Sequence, residues 1–307
     1  MPEVSVIIPT YHRFDNISPT ISSVVDQSFS DLEIIIVNDG EDEKSLVKLI
    51  DSFNDSRIHY LWNQRKKGPN GARNTGFHNA KGRYIAFLDD DDRWYADKIQ
   101  KQIQKFNESS KDTGVVYSGY EIISTSADGY SIKVFPQKKG KISDDIIRGN
   151  FIGSPTPLII KDLFNSIEPY DENLKSAQDW DLWISLSEKT EFEYVDEILA
   201  VYVLHGGQIS FDYRRKADSF DYITKKYSKL YNRHRRSLST IYKRIAILLF
   251  MSGEIESSRK QVIKAFLTYC FRIDLPVHLI LSFFPALYRS YIDNHFFKTF
   301  GEHKLLY

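Results

Sequence analysis

Short apolar runs alternate with amphipathic stretches through the first part of the chain. Runs rich in Val and Ile are typical of buried strands, and apolar residues three or four positions apart are typical of helices. The predicted strands are 4–8, 33–37, 58–61 and 83–88, and the predicted helices are 16–28, 43–53 and 71–80. Strands that alternate with helices of this size indicate βαβ units, so we predict an α/β fold with a mainly parallel sheet flanked by helices.

The pattern changes along the rest of the chain. Further strands are predicted at 114–118, 157–161 and 193–205, and a helix is predicted to start near Ser176. From about residue 213 the pattern is helical, with predicted helices around 238–249, over 254–272 and from Pro276 onward. We therefore expect an α/β domain over 1–212, with halves at 1–118 and 119–212, and a C-terminal helical region over 213–307.

Composition narrows the class of protein. With 307 residues, 42% hydrophobic and 27% charged, the chain can form a globular core. Its single cysteine excludes a disulfide framework and a cysteine-built zinc site, which favours a reducing, cytoplasmic location. The N-terminus lacks the basic segment of a signal peptide, and charged or helix-breaking residues interrupt the apolar stretch 276–292, so no membrane-spanning helix is expected.

A net charge of zero hides two oppositely charged parts. Residues 213–307 hold 18 Lys and Arg against seven Asp and Glu, a net charge of +11, which leaves −11 for residues 1–212. The same C-terminal part holds 18 Phe and Tyr. Basic, aromatic, amphipathic helices suit a membrane interface, so we expect peripheral attachment at the cytoplasmic face of the cell membrane. The alternative is that these helices only pack on the α/β domain. Nucleic acid is not an expected partner, because that domain is acidic.

Candidate chemistry lies where the predicted strands end, because ligands of parallel α/β sheets bind at the carboxyl ends of the strands. Four consecutive aspartates, 89–92, follow the strand 83–88. Carboxylates this close repel one another unless a cation lies among them, and carboxylate oxygens suit Mg²⁺ or Mn²⁺ that bridges to phosphates. We therefore favour a metal–diphosphate site here over a solvated acidic turn.

Two residues earlier in the chain are ambiguous when taken alone. Asp39 follows the strand 33–37 and could accept hydrogen bonds from a base or ribose, although Asp-Gly is also a common turn. Arg73 lies in the Gly-rich stretch 68–76 and could approach a phosphate, or it could be a structural residue.

Two sites later in the chain are equally ambiguous. Asp179 and Asp181 lie on an aromatic helix, and their spacing lets only one of them face a cleft easily. A carboxylate held against apolar walls can act as a general base, but the pair could also be surface acids. His205 follows a strand and could bind a phosphate or a metal, although a lone His is more often structural.

Taken together, five blocks in this order resemble the family 2 glycosyltransferases of the GT-A fold. The blocks are VSVIIPTYHR, SVVDQSFSDLEIIIVNDG, GARNTGFHNAKGRYIAFLDDDDRW, PYDENLKSAQDWDLW and YVLHGGQIS. The resemblance covers residues 3–210, and the last third matches only loosely the helical tails of such enzymes. It implies a Rossmann-like nucleotide-diphospho-sugar transferase fold, a nucleotide-sugar donor, a saccharide or lipid-linked acceptor, and Mg²⁺ or Mn²⁺ as cofactor.

The resemblance also implies roles for individual residues. Those that would bind the donor are Pro9, Thr10 and Tyr11, which flank the nucleotide, Asp39, which binds its base (usually uracil), and Arg73, which contacts nucleotide or phosphate. Asp89 and Asp91 would be the acids of the DxD motif, with Asp90 between them at the donor. Asp91 would bind the metal directly, and His205 would lie near the metal and the diphosphate. Asp179 would be the catalytic base.

Some positions depart from the family pattern. Asn38 stands where many members have an acid, and Gln178 stands where the base is usually preceded by Glu. No Gln-x-x-Arg-Trp block, as found in processive synthases, follows Asp179, so the transfer of a single sugar is expected, with inversion. Two alternatives stay open. One is a sugar nucleotidyltransferase, although no glycine-rich basic loop follows the first strand. The other is a nucleotide-sugar-binding module without turnover, for which Gln178 gives a small foothold.

Overall fold

The computed structural model describes residues 1–12, 17–40, 44–125, 129–205, 212–272 and 274–294. The predicted α/β fold, with flanking helices and a helical C-terminal region, is confirmed. The chain forms two compact units. Unit 1 comprises Met1–Ser143, Phe151–Glu172 and Leu182–Gly206, and unit 2 comprises Asp144–Asn150, Asn173–Asp181 and Gly207–Tyr307.

The strands and most of the helices that precede residue 206 follow a regular order. They are β1 Val4–Thr10, α1 Ser18–Val25, β2 Leu32–Asn38, α2 Lys44–Ser52, β3 Ile58–Trp62, α3 Pro69–Asn79, β4 Tyr84–Phe87, β5 Arg93–Trp94, α4 Lys98–Glu108, β6 Thr113–Ser124, β7 Ser131–Val134, α5 Ser143–Ile146, β8 Leu158–Ile160, α6 Gln178–Ser187 and β9 Glu191–Leu204. The short strands β5 and β7 were not predicted, because two to four residues carry too little periodicity.

These strands form one sheet with the order β3-β2-β1-β4-β8-β6-β9-β5, and β7 pairs with β6. The first four strands are parallel to one another. The pairs β4–β8, β6–β8, β6–β7 and β5–β9 are antiparallel, and β6–β9 is parallel. The predicted parallel arrangement therefore holds for the first part of the sheet, and the second part is mixed. The carboxyl ends of β1, β2 and β4 lie along one edge.

The parallel part is held by complete burial. Every residue of β1 and β2 is buried, which matches their uninterrupted apolar sequences. Helix α3 packs very closely on β1, because a Cβ at Gly76 would fall 2.4 Å from Cγ2 of Ile7. A larger residue at Gly76 would push α3 away from the sheet and move the side chains that α3 carries.

Unit 2 is mostly helical. Its further helices are α7 Tyr213–Lys226, α8 Ser228–Arg233, α9 Arg235–Met251, α10 Ile255–Thr268, α11 Asp274–Leu281 and α12 Pro285–Ile292. The indole of Trp180 donates to the Ile146 carbonyl over 2.7 Å and its ring meets that of Phe220 at 4.9 Å, so the first turn of α6 is fixed between α5 and α7. The helix predicted from Pro276 begins at Asp274. Over the described ranges no helix has both the length and the apolar character needed to cross a membrane.

Candidate active site

The ends of β1 and β4 meet in unit 1. The Thr10 hydroxyl donates to Oδ2 of Asp90 over 2.8 Å, and the Asp39 amide donates to the Thr10 carbonyl over 2.9 Å. Pro9 is buried in β1, whereas Tyr11 is 50% exposed, with Nζ of Lys67 5.3 Å from its ring centre. The structure thus brings these predicted residues together at one sheet edge, with Tyr11 as the accessible one.

The carboxylate of Asp39 is fixed from both sides. Its Oδ1 accepts from Nδ2 of Asn63 over 2.6 Å, and its Oδ2 accepts from the Gly68 amide over 2.8 Å. Asn38 is buried, and its side chain caps the following turn by accepting from the Gly40 amide over 2.8 Å. Asn38 therefore has a structural role that an amide performs without charge, which explains locally why an acid is not needed there.

Arg73 is buried on α3 and pairs with Asp89. Nη2 of Arg73 contacts Oδ1 of Asp89, and the guanidinium carbon lies 4.9 Å from the ring centre of Tyr170. The pairing neutralises Asp89, so the second and third aspartates of the run carry its remaining half-buried or buried charge. A role for Arg73 at the nucleotide stays a prediction.

Asp91 and His205 are in direct contact. Nε2 of His205 lies 2.7 Å from Oδ2 of Asp91, and both side chains are partly accessible. Within the described part of the chain, no group of three or more His, Cys, Asp and Glu side chains is arranged to hold a metal ion. One carboxylate and one imidazole nonetheless suit Mg²⁺ or Mn²⁺ when substrate oxygens complete the coordination, so this pair fits a metal shared with a diphosphate.

Asp92 differs from the other aspartates of the run. It is fully buried, and its Oδ1 accepts from the Val203 amide of β9 over 3.0 Å. Burial, together with the neighbouring aspartates, raises the pKa of Asp92 well above its usual value. Asp92 therefore ties the acidic run to β9 and is not available to a ligand. The sequence gives no sign of this difference, because burial depends on a strand more than a hundred residues later.

Asp179 lies in the first turn of α6, in unit 2. Its Oδ2 accepts from Nδ2 of Asn150 over 2.9 Å, and its Oδ1 accepts from the Trp180 amide over 2.8 Å. Lys216 of α7 is buried close enough for the Asp179 charge to raise its pKa, but burial outweighs this and lowers the pKa of Lys216 to about 7. The sequence did not indicate Asn150 or Lys216, because neither belongs to a recognisable block.

Asp181 has a different environment. It is buried, and its Oδ2 accepts from Nζ of Lys226 over 2.8 Å. The spacing argument that only one of the two carboxylates is available agrees with this pairing. Ala177, just before α6, has φ of +56°, a left-handed conformation that costs a non-glycine residue about 1 kcal/mol. Strain of this kind is common where a structure fixes a functional group, and here it precedes Asp179 by two residues.

Comparison with known proteins agrees with this geometry. A sequence model described as "Glycosyl transferase family 2" matches residues 5–157. The teichuronic acid biosynthesis glycosyltransferase TuaG of Bacillus subtilis is 34% identical over 213 residues, which cover 68% of this chain and 82% of TuaG. The chain belongs to glycosyltransferase family 2. It is therefore a glycosyltransferase, as the five sequence blocks indicated.

Two further relatives of this glycosyltransferase are informative. The Escherichia coli protein named UDP-Glc:alpha-D-GlcNAc-diphosphoundecaprenol beta-1,3-glucosyltransferase WfgD is 34% identical over 60% of this chain and 69% of its own. The Campylobacter jejuni protein named GalNAc(5)-diNAcBac-PP-undecaprenol beta-1,3-glucosyltransferase is 42% identical over 35% of this chain and 36% of its own.

Solved structures confirm the fold of this glycosyltransferase. Staphylococcus aureus TarS 1–349, solved with UDP-GlcNAc, superposes with a TM-score of 0.67 at 16% identity and covers 96% of this chain and 92% of that one. The mannosyltransferase PcManGT of Pyrobaculum calidifontis, solved with GDP-Man and Mn²⁺, gives a TM-score of 0.62 at 13% identity and covers 99% and 85%. The fold is that of the GT-A transferases.

Proposed function

We propose that this glycosyltransferase inverts the anomeric centre and moves one sugar from a UDP-sugar to an acceptor hydroxyl, with Asp179 as the general base. The observation that carries the proposal is the fixed, partly accessible carboxylate of Asp179, beside Asp181, whose carboxylate is buried against a lysine. Asp179 takes the proton of the acceptor hydroxyl as its oxygen attacks the anomeric carbon. A base so placed contributes on the order of 10²–10⁴ in rate.

The donor site of the proposal is the edge of unit 1 where β1 and β2 end. Asp39, fixed by Asn63 and Gly68, keeps lone pairs that can accept from the N–H of uracil. Tyr11 offers an accessible ring beside the nucleotide. Uracil is supported by the printed titles of the relatives WfgD and TarS, which name UDP-glucose and UDP-GlcNAc.

The diphosphate is assigned to the acidic run. Asp91 and His205 would hold a Mg²⁺ or Mn²⁺ ion, with Asp89 and Asp90 close by. When bound, the ion supplies positive charge that stabilises the leaving diphosphate. Arg73 keeps Asp89 neutralised, which reduces the repulsion between the run and the phosphates. PcManGT, whose title names Mn²⁺, supports a divalent ion.

The proposed acceptor is a saccharide carried on a lipid at a membrane surface. The relatives WfgD and the Campylobacter enzyme are named for undecaprenyl diphosphate acceptors. Unit 2 exposes large apolar side chains on and between α10, α11 and α12, at Leu267, Phe271, Ile280, Phe283, Phe284 and Leu287. Together with the +11 charge of residues 213–307, these suit peripheral binding to anionic lipid at the cytoplasmic face.

Product analysis tests the reaction. The protein is incubated with a panel of UDP-sugars and a bacterial lipid extract, and released UDP and pyrophosphate are measured separately. UDP release with a product of inverted anomeric configuration supports the proposal, and Asp179→Asn should slow transfer by about 10²–10⁴. The exposed aspartate variant Asp196→Asn is the control. Pyrophosphate release would instead identify a nucleotidyltransferase, and binding without any turnover would identify a binding module.

Vesicle co-sedimentation tests the membrane assignment. The full chain should sediment with vesicles containing phosphatidylglycerol and less so at high salt. The double variant Ile280→Ser with Leu287→Ser should reduce the bound fraction several-fold, because two of the most exposed apolar residues of unit 2 are lost. The matched control is Ile123→Ser with Phe135→Ser, two exposed apolar residues of unit 1. Equal loss in both double variants would refute the assignment.

A further inference from the structure

Unit 2 contains a cleft of about 810 Å³ lined by arginine. The cleft lies where α8 ends and α9 begins, and Arg148 and Arg244 reach it from elsewhere in the unit. Its charged lining residues are Arg148, Arg233, His234, Arg235, Arg236 and Arg244. Five guanidinium groups around a concave space of this size attract an anion with several oxygens, because guanidinium groups bind phosphate oxygens in pairs.

The guanidinium charges are poorly compensated by the protein. Among the described residues, Arg233, Arg236 and Arg244 make no ion pair within 4.0 Å, and Arg148 approaches Asp145 only to 3.9 Å. Nη1 of Arg244 is buried and has no hydrogen-bond partner. A buried charged donor without an acceptor is costly unless a ligand supplies one.

The position of the arginines on α9 is also unfavourable without an anion. Helix α9 has 17 residues and starts with Arg235 and Arg236, and no side chain caps its N-terminus. The N-terminus of a helix carries partial positive charge, so basic residues in the first turn normally destabilise it. The same free amides and charges together form a site that favours phosphate.

The cleft is joined to the proposed catalytic base by three consecutive residues. Arg148 lines the cleft, and a Cβ on Gly149 would fall 2.3 Å from Nη1 of Arg244, so the guanidinium lies directly on this glycine. Asn150 donates to Asp179. Three residues span at most about 7 Å between their outer Cα atoms, which is about one sugar ring plus a linkage. An anion in the cleft and a hydroxyl at Asp179 therefore fit one short acceptor.

One wall of the cleft leads to apolar surface. Tyr269 lines the cleft, and its ring centre lies 5.7 Å from that of Phe271, which is 81% exposed. Leu267, two residues before Tyr269, is 73% exposed. The ligand that matches both features has a phosphate head for the arginines and a hydrocarbon chain for the aromatic edge.

We propose that this arginine cleft binds the diphosphate of a lipid-linked sugar acceptor and thereby places the acceptor sugar at Asp179. The assignment rests on the proposed function for the identity of the base, but the binding of a prenyl diphosphate by the cleft does not require turnover. It can be measured in EDTA, so that metal-dependent binding at the acidic run does not contribute.

The experiment measures the Kd of the full chain for farnesyl diphosphate, inorganic diphosphate and farnesol by titration calorimetry in dilute detergent. The cleft variant is Arg233→Gln with Arg236→Gln, two exposed residues whose loss should leave the fold intact. Its matched control is Lys229→Gln with Lys260→Gln, which removes the same charge from exposed positions of unit 2 outside the cleft. The apolar variant is Leu267→Ser with Phe271→Ser.

We expect farnesyl diphosphate to bind wild type and control within about twofold of each other, and the cleft variant at least about tenfold more weakly. The apolar variant should weaken farnesyl diphosphate several-fold and leave inorganic diphosphate unchanged. Equal affinity of the cleft variant and the control for farnesyl diphosphate would overturn the proposal. Inorganic diphosphate bound as tightly as farnesyl diphosphate would overturn the lipid-linked acceptor in favour of a free phosphate ligand.

Release of UDP from the donor, measured on the same preparations without acceptor, separates this proposal from the proposed function. Loss of prenyl diphosphate binding with normal UDP release in the cleft variant supports the cleft as an acceptor site. If wild type releases no UDP with any donor, the proposed function fails, and the binding titrations still decide the cleft.

Discussion

Nε2 of His205 lies 2.7 Å from Oδ2 of Asp91, although 114 positions separate the two residues in the sequence. The contact joins the end of β9 to the acidic run that follows β4. It shows that the histidine of the last sequence block and the acidic run form one site in unit 1. A divalent ion would use the same imidazole and carboxylate, so it would replace the hydrogen bond and not add to it.

Replacing either partner should therefore weaken activation by a divalent ion. His205→Ala and Asp91→Asn each remove one ligand, so the concentration of Mn²⁺ that gives half-maximal UDP release should rise about 10- to 100-fold. The control is Asp112→Asn, an exposed aspartate before β6. Mn²⁺ activation curves that are the same in all three variants and wild type would exclude this pair as the metal site.

Asn63 should control nucleotide affinity through Asp39. Asn63→Asp keeps the oxygen that accepts from Thr75 but replaces the donor to Asp39 with a second carboxylate. We expect the Kd for UDP to rise at least about tenfold, since repulsion turns Asp39 away from its position. Calorimetry with UDP gives the value, and Asn107→Asp on the exposed side of α4 is the matched control. An unchanged Kd would show that Asp39 does not bind the base.

Lys216 should make stability depend on pH. Its pKa is about 7 in the folded chain and near 10.5 when unfolded, so the unfolded chain binds more protons between these values. The free energy of unfolding should therefore rise with pH in this window, by up to about 1.4 kcal/mol per pH unit, and the penalty is complete below about pH 7.

The variant Lys216→Met removes this dependence. The advantage of the variant over wild type in urea unfolding should shrink by about 1.4 kcal/mol from about pH 8 to about pH 9. Other titrating groups contribute equally to both proteins and cancel in the difference. A constant difference across this range would mean that Lys216 stays charged in the folded chain.

Ala177→Gly should stabilise the protein by about 1 kcal/mol, because glycine adopts φ of +56° without the clash that alanine suffers. Urea unfolding measures the change. The matched control is Ala96→Gly, at an exposed turn with negative φ, which should be neutral or slightly destabilising. If Ala177→Gly destabilises the protein as much as the control does, the alanine is not strained.

Much of unit 1 could be predicted because its signals are local. The strands β1 and β2 are uninterrupted apolar runs, and the side chains that follow them are fixed to lie along one sheet edge by the parallel arrangement. The burial of Asp92 could not be predicted, since it depends on the Val203 amide of a strand far along the chain. Likewise, Arg148 and Arg244 share a cleft only because the helices of unit 2 fold over one another.

The segment Arg148–Asn150 has a consequence for the product. If its first residue holds the carrier phosphate and its last orients the base, the backbone works as a ruler between the two. The hydroxyl that reacts is then selected by its distance from the carrier, not by the identity of the sugar that bears it. Once a sugar has been added, the new terminal hydroxyl lies beyond that distance. The length of the product is thereby limited by three residues of the protein.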